Sequence, residues 1–131
     1  MKKTGLLNRD LSEVIASMGH MDQLTVCDAG LPIPDAVRRI ELALIPNLPT
    51  FLDTLAAVAS ELKVETLILA RELSETHPAL VEAVQEYFPE AETVLIPHDE
   101  FKKATQKSRA VVRTGECTPY ANVHLISGVI F

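Results

Sequence analysis

The residues of this chain that could do chemistry are a handful of histidines, an aspartate, a tyrosine and an asparagine. His20 follows Gly19, and one short β-branched run separates it from Asp28-Ala29-Gly30. A carboxylate beside an imidazole fixes its tautomer and raises its basicity. If the chain turns back after that run, His20 and Asp28 make an acid–base pair. A plainer reading stands beside this one. A histidine just past a helix end can satisfy free carbonyls and the helix dipole, and Asp-Ala-Gly can be an Asx-type turn. His98, after Pro97, either faces a ligand or caps the next helix. Tyr120 offers an apolar ring face and a hydroxyl, and Asn122 offers both a donor and an acceptor. With Ala121 between them, these two form either a binding segment or a loop after Pro119. His77 precedes Pro78 in a capping context, and His124, inside an apolar run, reads as a structural histidine.

Several chemistries lack their signatures. No H-x-x-x-H or H-E-x-x-H is present to gather a metal. The five glycines are scattered and build no phosphate-cradling loop. There is no G-x-S-x-G elbow. Cys117 sits beside Glu116, the opposite of the electropositive setting that activates a thiol. The net charge of -6 argues against a nucleic-acid backbone as partner. The most basic stretch, from Lys102 to Arg113, is bounded by Glu100 and Glu116 and reads as a solvated helix face. What remains is a set of hydrogen-bonding side chains suited to a neutral, polyhydroxylated ligand.

At 131 residues, 47% of them hydrophobic, the chain fits one domain with a core that needs no disulfide or metal. Cys27 and Cys117 lie among apolar or small residues and are expected to be reduced and to behave as small core hydrophobes. The start Met1-Lys2-Lys3 is not followed by an apolar run of signal-peptide length, and no stretch approaches the ~20 apolar residues of a membrane span. A cytoplasmic location is the expectation.

The elements that must position these groups follow from pattern. Asn8 caps a helix with Leu11, Val14, Ile15 and Met18 on one face, stopped by Gly19. Gln23 to Cys27 is a strand, and Ile40, Leu42 and Leu44 alternate as a second. Thr50 and Asp53 resemble a capping box opening a helix to about Leu62. Val64 to Ala70 is a strongly apolar strand, Pro78 starts a helix to Tyr87, and Thr93 to Ile96 is a strand. Asp99 to Lys107 is a short helix, Ala110 to Arg113 a strand, and Val123 to Phe131 the last strand or pair. This alternation predicts an α/β fold: three layers, a mostly parallel central sheet and helices on both faces. Ligands of such sheets bind beyond the carboxyl ends of the strands, where all three polar clusters are expected. The apolar Val129-Ile130-Phe131 predicts burial, in the core or against another subunit.

The segments Lys3-Thr4-Gly5-Leu6-Leu7-Asn8, Met18-Gly19-His20-Met21-Asp22 and Asp28-Ala29-Gly30-Leu31-Pro32-Ile33-Pro34 resemble the D-ribose pyranase / fucose mutarotase family. So do Arg113-Thr114-Gly115-Glu116-Cys117-Thr118-Pro119-Tyr120-Ala121-Asn122 and Ser127-Gly128-Val129-Ile130-Phe131. The form Pro119-Tyr120-Ala121-Asn122 is closer to the ribose branch. The resemblance implies a cofactor-independent isomerase that exchanges pyranose and furanose forms of D-ribose in the cytoplasm. It implies a homo-oligomer, a decamer of two stacked pentamers with sites between subunits. It places the proton donor on His20 and sugar contacts on Asp28, His98, Tyr120, Ala121 and Asn122, with Lys102, one helical turn after His98, on the same wall. In the implied reaction His20 protonates the ring oxygen, the aldehyde forms, and a different hydroxyl closes the other ring, with Asp28 orienting His20 or holding a sugar hydroxyl. A non-catalytic sugar-binding or regulatory module, or a mutarotase for another sugar such as fucose, are the competing readings.

Overall fold

A computed structural model describes residues 1–131. Six strands form one sheet in the order β2-β5-β1-β6-β3-β4. They are β1 (Gln23–Cys27), β2 (Arg39–Glu41), β3 (Val64–Ala70), β4 (Glu92–Ile96), β5 (Ser108–Arg113) and β6 (Val123–Ser127). β1 pairs parallel with β5, β2 with β5 and β3 with β4. β6 alone runs against its neighbours, antiparallel to both β1 and β3 in the middle of the sheet. The expected α/β architecture is therefore present, and that one reversal decides where the site lies.

The helices are α1 (Arg9–Ser17), α2 (Phe51–Ala59), α3 (Arg71–Thr76), α4 (Pro78–Tyr87) and α5 (His98–Ala104), the last followed by a 3₁₀ turn at Thr105–Lys107. Asn8 caps α1 by accepting the N–H of Leu11, and Thr50 caps α2 by accepting that of Asp53. Pro78 occupies the first turn of α4, where its missing N–H costs nothing. Alternate strand residues point to opposite faces. Leu24, Val26, Leu67, Leu69, Val112, Val123 and Leu125 meet Leu11, Phe51, Leu55, Val58, Leu73 and Val84 of α1–α4 in one large core. The other face is covered by α5. There Phe101 packs with Cys27, Leu31 and Val111, and its ring stacks on His124 at 3.7 Å between centroids.

Under α5 the sheet is polar but satisfied. His124 Nδ1 lies 2.6 Å from Thr25 Oγ1 and 3.2 Å from Gln23 Nε2, and Nε2 lies 3.1 Å from the Phe101 carbonyl oxygen. Burial pushes this imidazole down to about 4, outweighing the Phe101 carbonyl. His124 is thus the structural histidine expected from its apolar strand.

Several boundaries differ from the sequence expectation. β2 ends at Glu41, because the following chain leaves the sheet as an exposed loop carrying Leu44, Ile45 and Leu48. α3 follows β3 directly and carries no side-chain cap, so nothing in its sequence announces it. Cys27 is buried, whereas Cys117 is exposed on a loop and is not a core residue. β6 stops at Ser127, and Ile130 and Phe131 are 90% and 100% exposed, so burial of the C-terminal residues in the chain's own core does not occur. No helix is long and apolar enough to cross a membrane.

Candidate functional site

Asp28 sits immediately after β1 and His98 one residue beyond β4, after Pro97, both at the carboxyl edge of the sheet. Tyr120, Ala121 and Asn122 precede their strand, yet they reach the same edge because β6 is antiparallel. Asn122 is fully buried and is clamped to Asp28 twice. Its Oδ1 accepts the Asp28 N–H at 2.8 Å, and its Nδ2 donates to Asp28 Oδ2 at 3.1 Å. Asp28 also closes the expected Asx turn, with Oδ1 accepting the Gly30 N–H at 2.9 Å. Ala121 is buried beneath. Tyr120 adopts a left-handed backbone, φ 66°, uncommon for an aromatic residue and the kind of local strain that marks functional segments. Its ring meets His98 edge-on, with centroids 5.0 Å apart.

His98 is held from three sides. Phe101 stacks on it at 6.2 Å, Tyr120 flanks it, and its backbone N–H donates to the Glu72 carboxylate at 2.9 Å and 3.2 Å. The Glu72 carboxyl is held below the usual range by N–H donors, its own first and that of His98 next. The His98 Nδ1 atom is buried with no hydrogen-bond partner. A buried polar atom left unpaired is costly, so this nitrogen is a point where a ligand hydroxyl would be welcome. Lys102 lies one turn further along α5 and pairs with Asp99 at 2.8 Å, making no hydrogen bond to the cluster. A shallow depression of about 370 Å³, lined by Asp28, Gly30, Glu116 and Cys117 among others, adjoins it. Burial raises the Glu116 carboxyl, but the Phe51 N–H and the Thr118 donors outweigh it and hold it below the usual range. Glu116 thereby ties this loop to the start of α2, with Phe51 N at 3.0 Å.

His20 is elsewhere. It precedes β1, at the amino edge, with the five residues of β1 between it and Asp28, a span of roughly 17 Å. The expectation that the chain turns back to join His20 to Asp28 is not met, because β1 runs extended between them, paired along its length with β5 and β6. His20 is not sealed in. Its side chain is 53% exposed, in a depression of about 470 Å³ that the C-terminal residues Val129, Ile130 and Phe131 help to line. The carboxylate that meets it is Glu65, with oxygens 3.0 Å and 3.2 Å from Nε2. Glu65 and Glu72 are the neighbours that sequence reasoning missed. The one visible signal was an acid placed at the start, and another just past the end, of the apolar run Val64–Ala70. The one side-chain hydrogen bond of His77 is to Thr76, and the residue is exposed. No three histidine, cysteine, aspartate or glutamate side chains are arranged to hold a metal ion.

The comparisons with known proteins bear on both edges together. Residues 1–130 match the family described as the RbsD / FucU transport protein family. The chain belongs to this family. It is 52% identical to the D-ribose pyranase of Aliivibrio fischeri and 48% identical to that of Photobacterium profundum, each over 100% of both chains. Among solved structures, Bacillus subtilis RbsD complexed with D-ribose superposes with a TM-score of 0.95 at 45% identity over 100% of both chains. The fucose mutarotase of Streptococcus pneumoniae shares the fold, TM-score 0.74, at 18% identity over 95% of each chain. The RbsD / FucU fold is therefore the frame in which the carboxyl-edge cluster and His20 are to be read.

Proposed function

We propose that this chain is a D-ribose pyranase, interconverting the pyranose and furanose forms of D-ribose by acid–base ring opening and reclosure. The observation that carries the proposal is the unspent hydrogen-bonding capacity at the carboxyl edge. The remaining lone pairs of Asp28, the orphaned Nδ1 of His98 and the Tyr120 hydroxyl, which makes no hydrogen bond within the chain, lie at that one edge, where Asn122 holds Asp28 in place. Such a set matches a small neutral polyol, and the family members at about half identity over their full length are D-ribose pyranases. Ala121 supplies the buried backbone between the two polar contacts, and Lys102 closes the outer wall from α5.

His20 is the proton-transfer group. It protonates the ring oxygen as the anomeric hydroxyl loses its proton, the open-chain aldehyde forms, and another hydroxyl attacks to close the alternative ring. A single placed acid–base group supplies ~10²–10⁴-fold, which suffices for a reaction that water already supports. No metal or organic cofactor enters this reaction, and the proposed location is the cytoplasm.

In one chain His20 and the sugar cluster sit at opposite sheet edges, so a second copy must bring them together. The exposed apolar groups support this arrangement: Ile130 and Phe131 beside His20, and Leu44, Ile45 and Leu48 on a loop at the carboxyl edge. Two different patches at opposite edges make a head-to-tail contact, which closes into rings when the rotation permits. A pentameric ring, two of which stack into a decamer, is the proposed assembly.

The test is saturation-transfer NMR on D-ribose. The wild-type protein should speed pyranose–furanose exchange, and His20→Ala should abolish it while leaving the assembly intact. The separation of His20 from the cluster within one chain favours one other reading, a sugar-binding module without catalysis. Exchange unaffected by wild-type protein, with ribose still bound, would establish that reading instead.

A further inference from the structure

The contact between Glu65 and His20 is built into the sheet. β3 and β6 pair with Val64 opposite Ser127 and Thr66 opposite Ile126, so Glu65 is an extra residue with no partner on β6. A bulge of this kind re-aims one side chain out of the regular alternation, and here the side chain reaches the His20 ring. Space for it is kept by Gly128. A Cβ at that position would stand 3.1 Å from Glu65 Cβ and 3.4 Å from Oε2, and the Gly128 N–H, donating to the Lys63 carbonyl at 2.9 Å, leaves its backbone no room to retreat.

The chemistry of the contact fixes the imidazole. A carboxylate only accepts, so Nε2 carries the hydrogen and the neutral ring keeps its lone pair on Nδ1. Nδ1 makes no hydrogen bond within the chain. The other charged groups around His20 are engaged elsewhere. Glu61 accepts the Leu6 N–H and faces Lys2, Lys63 pairs with Glu90, and Asp22 accepts the Gly19 N–H and faces Arg109.

We propose that Glu65 is a positioning residue for the reaction, holding His20 by Nε2–H so that Nδ1 is the nitrogen that exchanges protons with the sugar. This rests on the reading of His20 as the proton-transfer group. On opening, Nδ1–H of the imidazolium gives its proton to the ring oxygen while solvent water takes the proton of the anomeric hydroxyl. On closure, Nδ1 takes the proton of the attacking hydroxyl and water returns one to the carbonyl oxygen. Glu65 stays a carboxylate throughout, so protons balance over the cycle.

The experiment compares wild type, His20→Ala, Glu65→Ala and Glu65→Gln by ribose exchange and by ¹⁵N NMR of the histidine side chains. Glu65→Ala should lower turnover about ten-fold with KM within about two-fold, and should convert the His20 pattern from Nε2–H to a mixture of tautomers. Glu65→Gln, whose amide oxygen still accepts, should restore the Nε2–H pattern and part of the rate. Wild-type turnover with an unchanged tautomer in Glu65→Ala overturns the proposal. Wild-type exchange in His20→Ala overturns the underlying role of His20 and the proposal with it, and is recognised without reference to either Glu65 variant.

Discussion

The double clamp between Asn122 and Asp28 makes Asn122→Ala an informative perturbation. The substitution deletes the acceptor of the Asp28 N–H at 2.8 Å and the donor to Asp28 Oδ2 at 3.1 Å. The part-buried N–H has no alternative acceptor, which costs about 1–3 kcal/mol. The bond to the carboxylate is charge-assisted, but Asp28 is only half-buried and water can replace the lost donor, so that part is discounted to about 1 kcal/mol. Together the loss is about 2–4 kcal/mol, a large share of the 5–15 kcal/mol typical of a domain. Function should suffer more than folding. Without its clamp the Asp28 carboxylate keeps only the Gly30 N–H, which weakens the proposed sugar contact, and each ~1.4 kcal/mol of lost contact is a ten-fold weaker complex. Urea unfolding at fixed protein concentration gives the first quantity, and ribose exchange against ribose concentration gives the second. KM should rise at least about ten-fold, with the folded fraction still near complete in the absence of denaturant. A midpoint change equivalent to less than ~0.5 kcal/mol together with unchanged KM would refute the idea that this pair builds the site.

Tyr120→Phe keeps the ring against His98 and removes only the hydroxyl, so KM should rise about 3–10-fold with a urea midpoint within ~0.5 kcal/mol of wild type. His124 titrates at about 4 folded against its ordinary 6.5. Between those values the unfolded chain binds a proton that the folded chain does not, so stability falls by about 3 kcal/mol as pH drops from 6.5 to 4. Urea midpoints across that range should show the slope, and His124→Gln should flatten it. The carboxylates of Asp22 and Glu41 are held below the usual range by N–H and guanidinium donors and act only at lower pH. Replacing Ile130 and Phe131 by Ser should loosen the assembly by about 1.5–3 kcal/mol per buried side chain. Sedimentation should show smaller species while the circular dichroism of the dissociated chain stays unchanged, since both residues are exposed in the single chain.

Periodicity and capping residues were enough to place α1, α2, α4 and the strands β1, β3, β4 and β5, because those signals are local: a capping side chain reaches three residues, and a buried parallel strand is apolar throughout. For the same reason the residues able to bind a polyol, Asp28, His98, Tyr120 and Asn122, could be picked out by type and by their position beside strands. His20 was picked out the same way, by its spacing from Asp28, and Ala121 by its place between Tyr120 and Asn122; the family motifs added Lys102 and gave His20 the proton-donor role as expectations. The direction of β6 is a different matter. Nothing in Val123–Ser127 states whether it lies with or against β1, yet that choice alone carries Tyr120–Asn122 to Asp28 and His98. The distance between His20 and Asp28, the bulge that turns Glu65 toward His20, the α3 segment that brings Glu72 to His98, and the exposure of Phe131 were also decided only by tertiary structure. Each depends on strand register or on contacts between residues far apart in the chain, and register is set by the packing of the whole sheet rather than by any short run of sequence.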